Sequence, residues 1–477
     1  MVGIVSYGTY IPTYRIDRKC IADAWGRGAL KGERSLANND EDSITMAVAA
    51  GMNCLNGRAR ESIDGLNFAT TTPPYQEKMN ASLISAAMDF GREISITDFG
   101  YSLRSGVAAL KAASHSVSCG ATTTHLVTAA DMRSAYPKSD EEQSFGDGAA
   151  ALLLGTDGVL ATIEGHCTLN SEIMDVWRKT DDPYINMWEG RFVQNEGYIA
   201  HVKAVIRTLL EKQGLSPENI DKLILPAPTE QLFSKVVKSL GFNLETQAQP
   251  SLLSQVGYCG TAHPLMMLCH ALETAKPGEL LLLAAYGDGA DAFLFKVTDH
   301  PPQRHCAVRT ESFLKTKLML PAYGRFLSYK EVVTPLPGEP FRLMPSATAT
   351  WREGDSMLRC HASKCRACGC VSFPIQRICP QCRSKDDFDI TRLSDQKGKI
   401  FTFTRDNIAG RSDDPIVVQT VAEFDEGVRF YGLMTDCDPS QIELDQMVEL
   451  TFRKFYDGAG FHNYFWKLRP AREDKGE

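Results

Sequence analysis

Phe145-Gly-Asp-Gly-Ala-Ala-Ala-Leu-Leu-Leu154 and Tyr286-Gly-Asp-Gly-Ala-Asp-Ala-Phe-Leu-Phe295 are two versions of one stretch, and their repetition decides the fold of this chain. Each follows an apolar run, His125-Leu-Val-Thr-Ala-Ala130 in the first case and Leu280-Leu-Leu-Leu-Ala-Ala285 in the second, and each leads into another. Gly-Asp-Gly-Ala alone is a common turn. Matching apolar strands on both sides of it point instead to an internal duplication. The expected architecture is two similar βα halves facing one another, with ligand chemistry between them.

Outward from the repeats, short Val/Ile/Leu-rich runs near Ile4, Gly65, His125 and Leu223 alternate with helical periodicity over Ser43–Leu55, Ser105–Val117, Ile199–Gln213 and Leu232–Leu240. This alternation indicates a layered α/β fold. A second informative turn, Ser95-Ile-Thr-Asp-Phe-Gly-Tyr-Ser-Leu-Arg-Ser-Gly106, runs from a β-rich lead into a helix. Such a turn sets one side chain at a helix N-terminus, where the macrodipole and free N–H groups favour a nucleophilic anion. The residue in that place is Leu103.

The length of 477 residues, with 43% apolar and 23% charged content, suits a globular protein of several domains. A net charge of −8 gives no overall attraction for nucleic acid or an acidic membrane surface. No apolar run reaches the length of a bilayer span, and Met1-Val-Gly-Ile-Val reads as a first core strand rather than a signal segment. Six of the fourteen cysteines crowd between Cys360 and Cys382. That distribution is expected of a protein of the reducing cytoplasm with one metal site, not of a disulfide scaffold.

Residues 299–354 are proline-rich, with Pro301, Pro302, Pro321, Pro335, Pro337 and Pro340, and read as a linker. Phe313, Leu318, Tyr323 and Phe326 make it apolar enough to wrap the first domain, with a short helix expected over Glu311–Leu320. Then come Cys365-Arg-Ala-Cys368 and Cys379-Pro-Gln-Cys382. Two such knuckles offer four thiolates to one tetrahedral zinc, which leaves no open position and makes the site structural; Cys360, His361 and Cys370 are spare residues nearby. After them, strand-like alternation through Met447–Lys454 suits a five-stranded barrel of OB type. The aromatic run from Phe455 to Trp466 is expected to seal that barrel or dock it on the first domain, since acidic neighbours such as Asp436 and Asp438 speak against nucleic acid.

Several stretches carry a family resemblance: Gly3-Ile-Val-Ser-Tyr-Gly-Thr-Tyr-Ile-Pro12, Asp175-Val-Trp-Arg178, Gly190-Arg-Phe192 with Tyr198, and both Gly-Asp-Gly-Ala turns. Through them the first 297 residues resemble the 3-hydroxy-3-methylglutaryl-CoA synthase branch of the thiolase superfamily. The knuckles and barrel resemble the small zinc-ribbon/OB proteins, DUF35 type, that accompany thiolases and bridge them to partners. The resemblance implies a duplicated α/β/α/β/α thiolase fold: an N-terminal half over 1–155, a C-terminal half over 156–298, the linker over 299–354, a zinc ribbon over 355–395 and the barrel over 396–477. It also implies a homodimer, a coenzyme A thioester as substrate and structural zinc.

The family's chemistry uses a Cys nucleophile, a Glu acid/base, and a His and an Asn near the thioester oxygen. Aligned on the neighbouring turns, these fall at Leu103, Thr71, Pro226 and Tyr258. Loss of a covalent nucleophile typically costs about 10⁶ in kcat, so acyl transfer through a Cys is not expected. The superfamily also contains aldolases that act on β-hydroxyacyl-CoA thioesters beside a zinc-ribbon/OB partner and use tyrosine instead. On that likeness Tyr258, His263 and Tyr101 are candidate bases or proton donors, each with simple packing or capping as its alternative. Two other readings stand beside the aldolase: a non-catalytic acyl-CoA-binding subunit that supports a partner thiolase, and a divergent synthase with its nucleophile moved to Cys259 or Ser102. All three need a coenzyme A pocket, for whose phosphates Arg191, Lys235 and Lys238 are candidates; a solvated helix face explains the lysines equally well.

Overall fold

The computed structural model describes residues 1–299, 306–334, 346–458 and 460–472. The duplication is written in the order of its main sheet. The first half supplies β1 (Gly3–Tyr10), β2 (Gly65–Ala69), β3 (Ser95–Phe99), β4 (His125–Asp131) and β5 (Gly148–Gly155), and the second supplies β6 (Ala161–Asn170), β7 (Lys222–Ile224), β8 (Leu280–Tyr286) and β9 (Gly289–Val297). They run β7-β8-β9-β6-β1-β5-β4-β2-β3. From the centre outward, β1-β5-β4-β2 and β6-β9-β8-β7 trace the same path, with β3 added at one edge. Only Gly3↔Thr162 and Ile4↔Ala161 pair across the seam. Each Gly-Asp-Gly-Ala turn leads into the last strand of its half.

β5 and most of β9 are buried along their length, so they carry near-continuous apolar runs rather than alternation. α1 (Ser43–Leu55), capped by Asp42 and Thr45 in a reciprocal box, covers the first half. α2 (Ser105–Ser118) and α5 (His263–Leu272) pack on each other, α5 touches strands of both halves, and α3 (Ala200–Gln213) covers the second half together with α4 (Glu230–Ser239). The sequence of layers is helix, sheet, helix pair, sheet, helix. No helix among the described residues is long and apolar enough to cross a membrane.

The expected helix over Glu311–Leu320 is shorter. It spans Thr310–Lys315, because Leu318–Met319 instead adds a strand beside Tyr14–Arg15. Phe313, Phe326 and Tyr329 are buried against the first domain, as the apolar content of this segment suggested. Pro301, Pro302, Pro335, Pro337 and Pro340 lie outside the described residues.

Three short strands, β10 (His361–Cys365), β11 (Val371–Ser372) and β12 (Phe388–Arg392), form the ribbon. The barrel follows as β13 (Lys397–Asp406), β14 (Val417–Glu423), β15 (Arg429–Leu433), β16 (Met447–Gly458) and β17 (Phe461–Pro470), in the order β15-β14-β13-β16-β17. A parallel bridge from Met434 to Leu468 brings its outer strands together, which is OB connectivity. The aromatic run is the β16–β17 hairpin: Trp466 is buried and donates to the Leu358 carbonyl at 2.9 Å, and Tyr464 donates to Asp42 at 2.6 Å.

Charge, not apolar area alone, fixes the barrel to the first half. Arg453, 1% exposed, pairs with Glu41 at 2.6 Å, Asp436 at 2.6 Å and Asp40 at 3.3 Å, and Lys467 adds a second cation on Asp40 at 2.9 Å. Tyr10 donates to the same Glu41 oxygen that Arg453 meets. Burial pushes the Glu41 carboxyl up to about 7 in spite of Arg453. The ribbon is held similarly: Asp89 receives His361, Arg359 and Arg392, and despite its burial these bonds hold its carboxyl well below the usual range.

Removing one member of a buried ion cluster leaves the others unpaired, at a cost of about 3–5 kcal/mol. Arg453→Ala is expected to lose that much in urea unfolding of the full chain; a loss below about 1 kcal/mol would show that the cluster does not hold the barrel. Because Glu41 binds its proton more tightly folded than unfolded, its contribution is complete at acid pH and is lost as pH rises from about 4.5 to about 7. Glu41→Gln should remove that part of the pH slope.

Candidate functional site

The loops that follow β2, β3, β4 and β8 meet at the carboxyl ends of their strands, where open α/β sheets bind ligands. Asp131, the last residue of β4, gathers them. Its carboxylate accepts from the Thr71 N–H at 2.7 Å, the Thr261 N–H at 2.8 Å, and the hydroxyls of Thr70 and Thr71 at 3.0 Å and Thr72 at 3.2 Å. It is fully buried, which pushes its pKa up against the pull of these bonds. Gly260 is required beside it: its φ is +55°, and a Cβ there would lie 2.2 Å from Asp131 Oδ2 and 2.9 Å from Arg133 Cδ.

The second Gly-Asp-Gly turn closes on the Ser102–Arg104 turn. A Cβ on Gly287 would stand 2.7 Å from Ser102 Oγ, 3.0 Å from the Arg104 nitrogen and 3.2 Å from the Leu103 nitrogen. Arg104 ties that turn to the second half by donating to the Asp288 carbonyl at 3.0 Å and the Leu169 carbonyl at 3.2 Å and pairing with buried Asp291 at 3.3 Å. The Pro226 carbonyl accepts from the Tyr198 hydroxyl at 2.7 Å, and the Tyr198 ring meets Tyr286 edge-on at 5.5 Å. Thr71, Leu103, Pro226 and Tyr258 therefore belong to one cluster of loops, although they span nearly two hundred residues of sequence.

Tyr258 is held by its backbone, donating to the Ser144 carbonyl at 2.8 Å and accepting from the Gly146 N–H at 3.2 Å. Its hydroxyl makes no hydrogen bond to any described residue. Burial raises its pKa to about 12 although Arg133 opposes this, so at neutral pH it is a proton donor and not a base. His263 lies 5.1 Å from that ring, fully buried, with Nε2 on the Ser251 carbonyl at 2.9 Å and Nδ1 facing the Cys259 N–H at 3.3 Å. Burial brings its pKa to about 4, and with both nitrogens engaged the ring is a neutral support for Tyr258. Tyr101, at φ +71°, turns outward and is fully exposed. Arg191, Lys235 and Lys238 are exposed, the lysines on the outer face of α4. Cys259 is buried and its thiol pKa is raised by that burial, and the buried Ser102 hydroxyl has no hydrogen-bond partner.

Three residues of the cluster had escaped the sequence reading as site residues. Asp131 and Arg133 end the apolar run that precedes the first repeat, and a charged pair at the end of a buried strand is the signal that marks them. Asp175, half-buried, has its pKa raised by burial and sits beside the Tyr286 hydroxyl, which is itself buried without a hydrogen bond of good geometry.

The knuckle cysteines form a separate centre. The Sγ atoms of Cys365, Cys368, Cys379 and Cys382 lie within 4.8 Å of one another, with Cys365–Cys382 and Cys368–Cys379 each at 3.6 Å. A tetrahedral zinc with bonds of about 2.3 Å needs sulfurs about 3.8 Å apart. The four sulfurs fit that ion, and the spare residues separate from them: Cys360 is buried elsewhere and His361 is taken by Asp89.

Comparison with known proteins bears on the fold and on the cysteine centre. Residues 210–295 match the family described as 3-oxoacyl-(acyl-carrier-protein) synthase III C terminal, and residues 362–389 match the ChsH2, rubredoxin-like zinc ribbon domain. Hydroxymethylglutaryl-CoA synthase of Methanopyrus kandleri is 32% identical over 346 residues, covering 69% of this chain and 97% of the relative. The enzyme of that name from Aeropyrum pernix is 34% identical over 62% of this chain and 85% of its own. Among solved structures, MvaS in complex with 3-hydroxy-3-methylglutaryl coenzyme A superposes with a TM-score of 0.62 at 18% identity, over 72% of this chain and 94% of that one. PksG, an HMG-CoA synthase from Bacillus subtilis, gives 0.63 at 18% identity, over 70% and 91%. At such identities the structures establish the thiolase-type fold.

Elemental analysis of the purified chain is expected to find about one zinc per chain. Cys379→Ser should abolish that zinc and lower the melting temperature, whereas Cys370→Ser should retain it; zinc-free protein of unchanged stability would refute the assignment.

Proposed function

The chain belongs to the hydroxymethylglutaryl-CoA synthase family, and from that premise we propose that it is an acyl-CoA-binding carbon–carbon bond enzyme that cleaves or forms β-hydroxyacyl-CoA thioesters by aldol chemistry without a covalent acyl-enzyme. On this reading Thr71, Leu103, Pro226 and Tyr258 stand where relatives carry their Glu, Cys, His and Asn. The observation that carries it is the polarity of the loop cluster. A site that had merely lost its chemistry would close as an apolar plug around Leu103 and Pro226. Instead Asp131, Arg133, Asp175, Tyr258 and Tyr286 stay gathered in it, at the desolvation cost that buried polar groups incur.

In the cleavage direction a base takes the β-hydroxyl proton, the β-carbon becomes a carbonyl, and the pair of the broken Cα–Cβ bond passes into a thioester enolate. A proton returned to Cα completes a shortened acyl-CoA. Asp175 is assigned as base, because burial raises its proton affinity, and Tyr258 as proton donor. Arg191, Lys235 and Lys238 keep their proposed role toward the coenzyme A phosphates. The divergent-synthase reading is less favoured, since Cys259 is a buried thiol and Ser102 has no base bonded to it. Leu103 alone favours the second reading, an acyl-CoA-binding subunit of a thiolase complex. A homodimer is proposed through β3, an edge strand with β2 as its one neighbour.

The test is incubation of the full chain with β-hydroxyacyl-CoA thioesters, following the aldehyde or ketone and the shortened acyl-CoA. Tyr258→Phe and Asp175→Asn are each expected to lower kcat by about 10²–10³. No turnover, together with co-purification of a Cys-bearing thiolase, would favour the subunit. An acetyl-enzyme trapped from acetyl-CoA would favour the synthase.

A further inference from the structure

Arg133 is 4% exposed, yet its guanidinium makes no hydrogen bond or ion pair to any described residue. Other arginines buried as deeply are paired: Arg453 by three carboxylates, Arg15 by backbone carbonyls, Arg34 by the Glu142 carbonyl. The side chain is nevertheless fixed. Its stem passes over Gly260, its guanidinium carbon lies 4.4 Å from the centroid of Phe145, and its carbonyl accepts from Lys330 Nζ at 3.3 Å. Stacking on Phe145 holds the guanidinium by its face and leaves its N–H edges free. The nearby acids do not take those edges: Asp131 is committed to its threonine and backbone donors, and Asp175 makes no ion pair with it.

Leaving a largely buried cation without any protein partner is costly, and the Arg133 nitrogens, which are not sealed from solvent, are open to a ligand. Arg133 is the charge that most offsets the rise that burial gives the Tyr258 phenol, so cation and proton donor share one corner of the cluster.

We infer that Arg133 binds the thioester oxygen of the acyl-CoA and stabilises the negative charge that this oxygen acquires as the enolate forms. The inference rests on the aldol reading for its setting but concerns a narrower step. In cleavage the electron pair of the Cα–Cβ bond ends on that oxygen through the Cα=C double bond. In the reverse sense the same enolate arises when Asp175, the base of the aldol reading, takes a proton from Cα and the pair of that C–H bond passes to the oxygen. No redox partner or cofactor enters either step.

The second sense supplies the test. Full-length protein is incubated with acetyl-CoA in deuterium oxide, and deuterium entering the acetyl group is read by mass spectrometry. The wild type is expected to exchange. Arg133→Gln should slow exchange about 10²–10³-fold with a change in KM of less than about threefold, and Arg133→Lys, which keeps the charge, should recover at least about tenfold of that loss. Exchange at the wild-type rate in Arg133→Gln, equal loss in Gln and Lys variants, or no exchange in the wild type would overturn the inference. Selective loss of affinity for succinyl-CoA with acetyl-CoA exchange intact would also overturn it, by assigning Arg133 to an acyl-chain carboxylate. The two proposals fail separately: exchange that depends on Arg133 without cleavage of any β-hydroxyacyl-CoA sinks the aldol reading alone, and cleavage that survives in Arg133→Gln sinks the role of Arg133 alone.

Discussion

Everything at the loop cluster depends on how a carboxylate can be buried at the end of a central strand. Asp131 is placed there by β4, which is apolar or small from Leu126 to Ala130. Desolvating a carboxylate costs several kcal/mol, and only donors already in position offset it. The chain supplies them from two separate places: consecutive threonines after β2, and the Thr261 N–H before α5. Satisfying Asp131 therefore fixes the Thr70–Thr72 loop and the Tyr258–Gly260 loop against each other. Gly260 is the corollary, since any side chain there would meet the carboxylate itself.

The barrel belongs to the same network. Ala37 donates to Asp147 in the first Gly-Asp-Gly turn at 2.8 Å, Asp40 and Glu41 receive Arg453 from the barrel, and Ser43 donates to the Thr72 carbonyl at 2.9 Å. One short segment thus runs from the repeat, past the barrel, to the threonine loop that feeds Asp131. Tyr75, just beyond that loop, exchanges hydrogen bonds with the backbone of His462 on the β16–β17 hairpin. The zinc-bearing extension is wired into the loops of the candidate site.

What could be read from sequence, and what could not, follows from the range of each interaction. The duplication was legible because strand burial and turn geometry are local: Gly287 and Gly289 sit at φ +158° and +107°, conformations that need glycine, between runs whose apolarity is itself the signal. The knuckle cysteines were legible because a tetrahedral ion dictates their spacing. His263 was not, because its partners are the backbone atoms of Ser251 and Cys259, which leave no mark in residue identity. The outward turn of Tyr101 hangs on one backbone angle. The Thr310–Lys315 helix stops where it does because Leu318 pairs with Tyr14, some three hundred residues earlier. Asp131 and Arg133 were visible as charges closing an apolar strand, but their meaning required the threonines and Phe145 that meet them in space.

The two copies of the repeat also explain what holds the turn bearing Leu103 in place. In the first copy Asp147 faces inward and is held by Lys330 at 2.6 Å; in the second, Asp288 is exposed and the buried charge has moved three residues on, to Asp291. That aspartate accepts both Arg104 and Lys111, two cations of the first half, at 3.3 Å each. Gly287 meanwhile leaves room for the Leu103 and Arg104 nitrogens. The Ser102–Arg104 turn is thus anchored through Arg104 and the close approach of Gly287, and neither anchor uses the side chain at 103. Such a turn can exchange the residue at its apex without losing its shape, and a site that keeps its shape can pass the work of charge stabilisation to other groups already buried beside it.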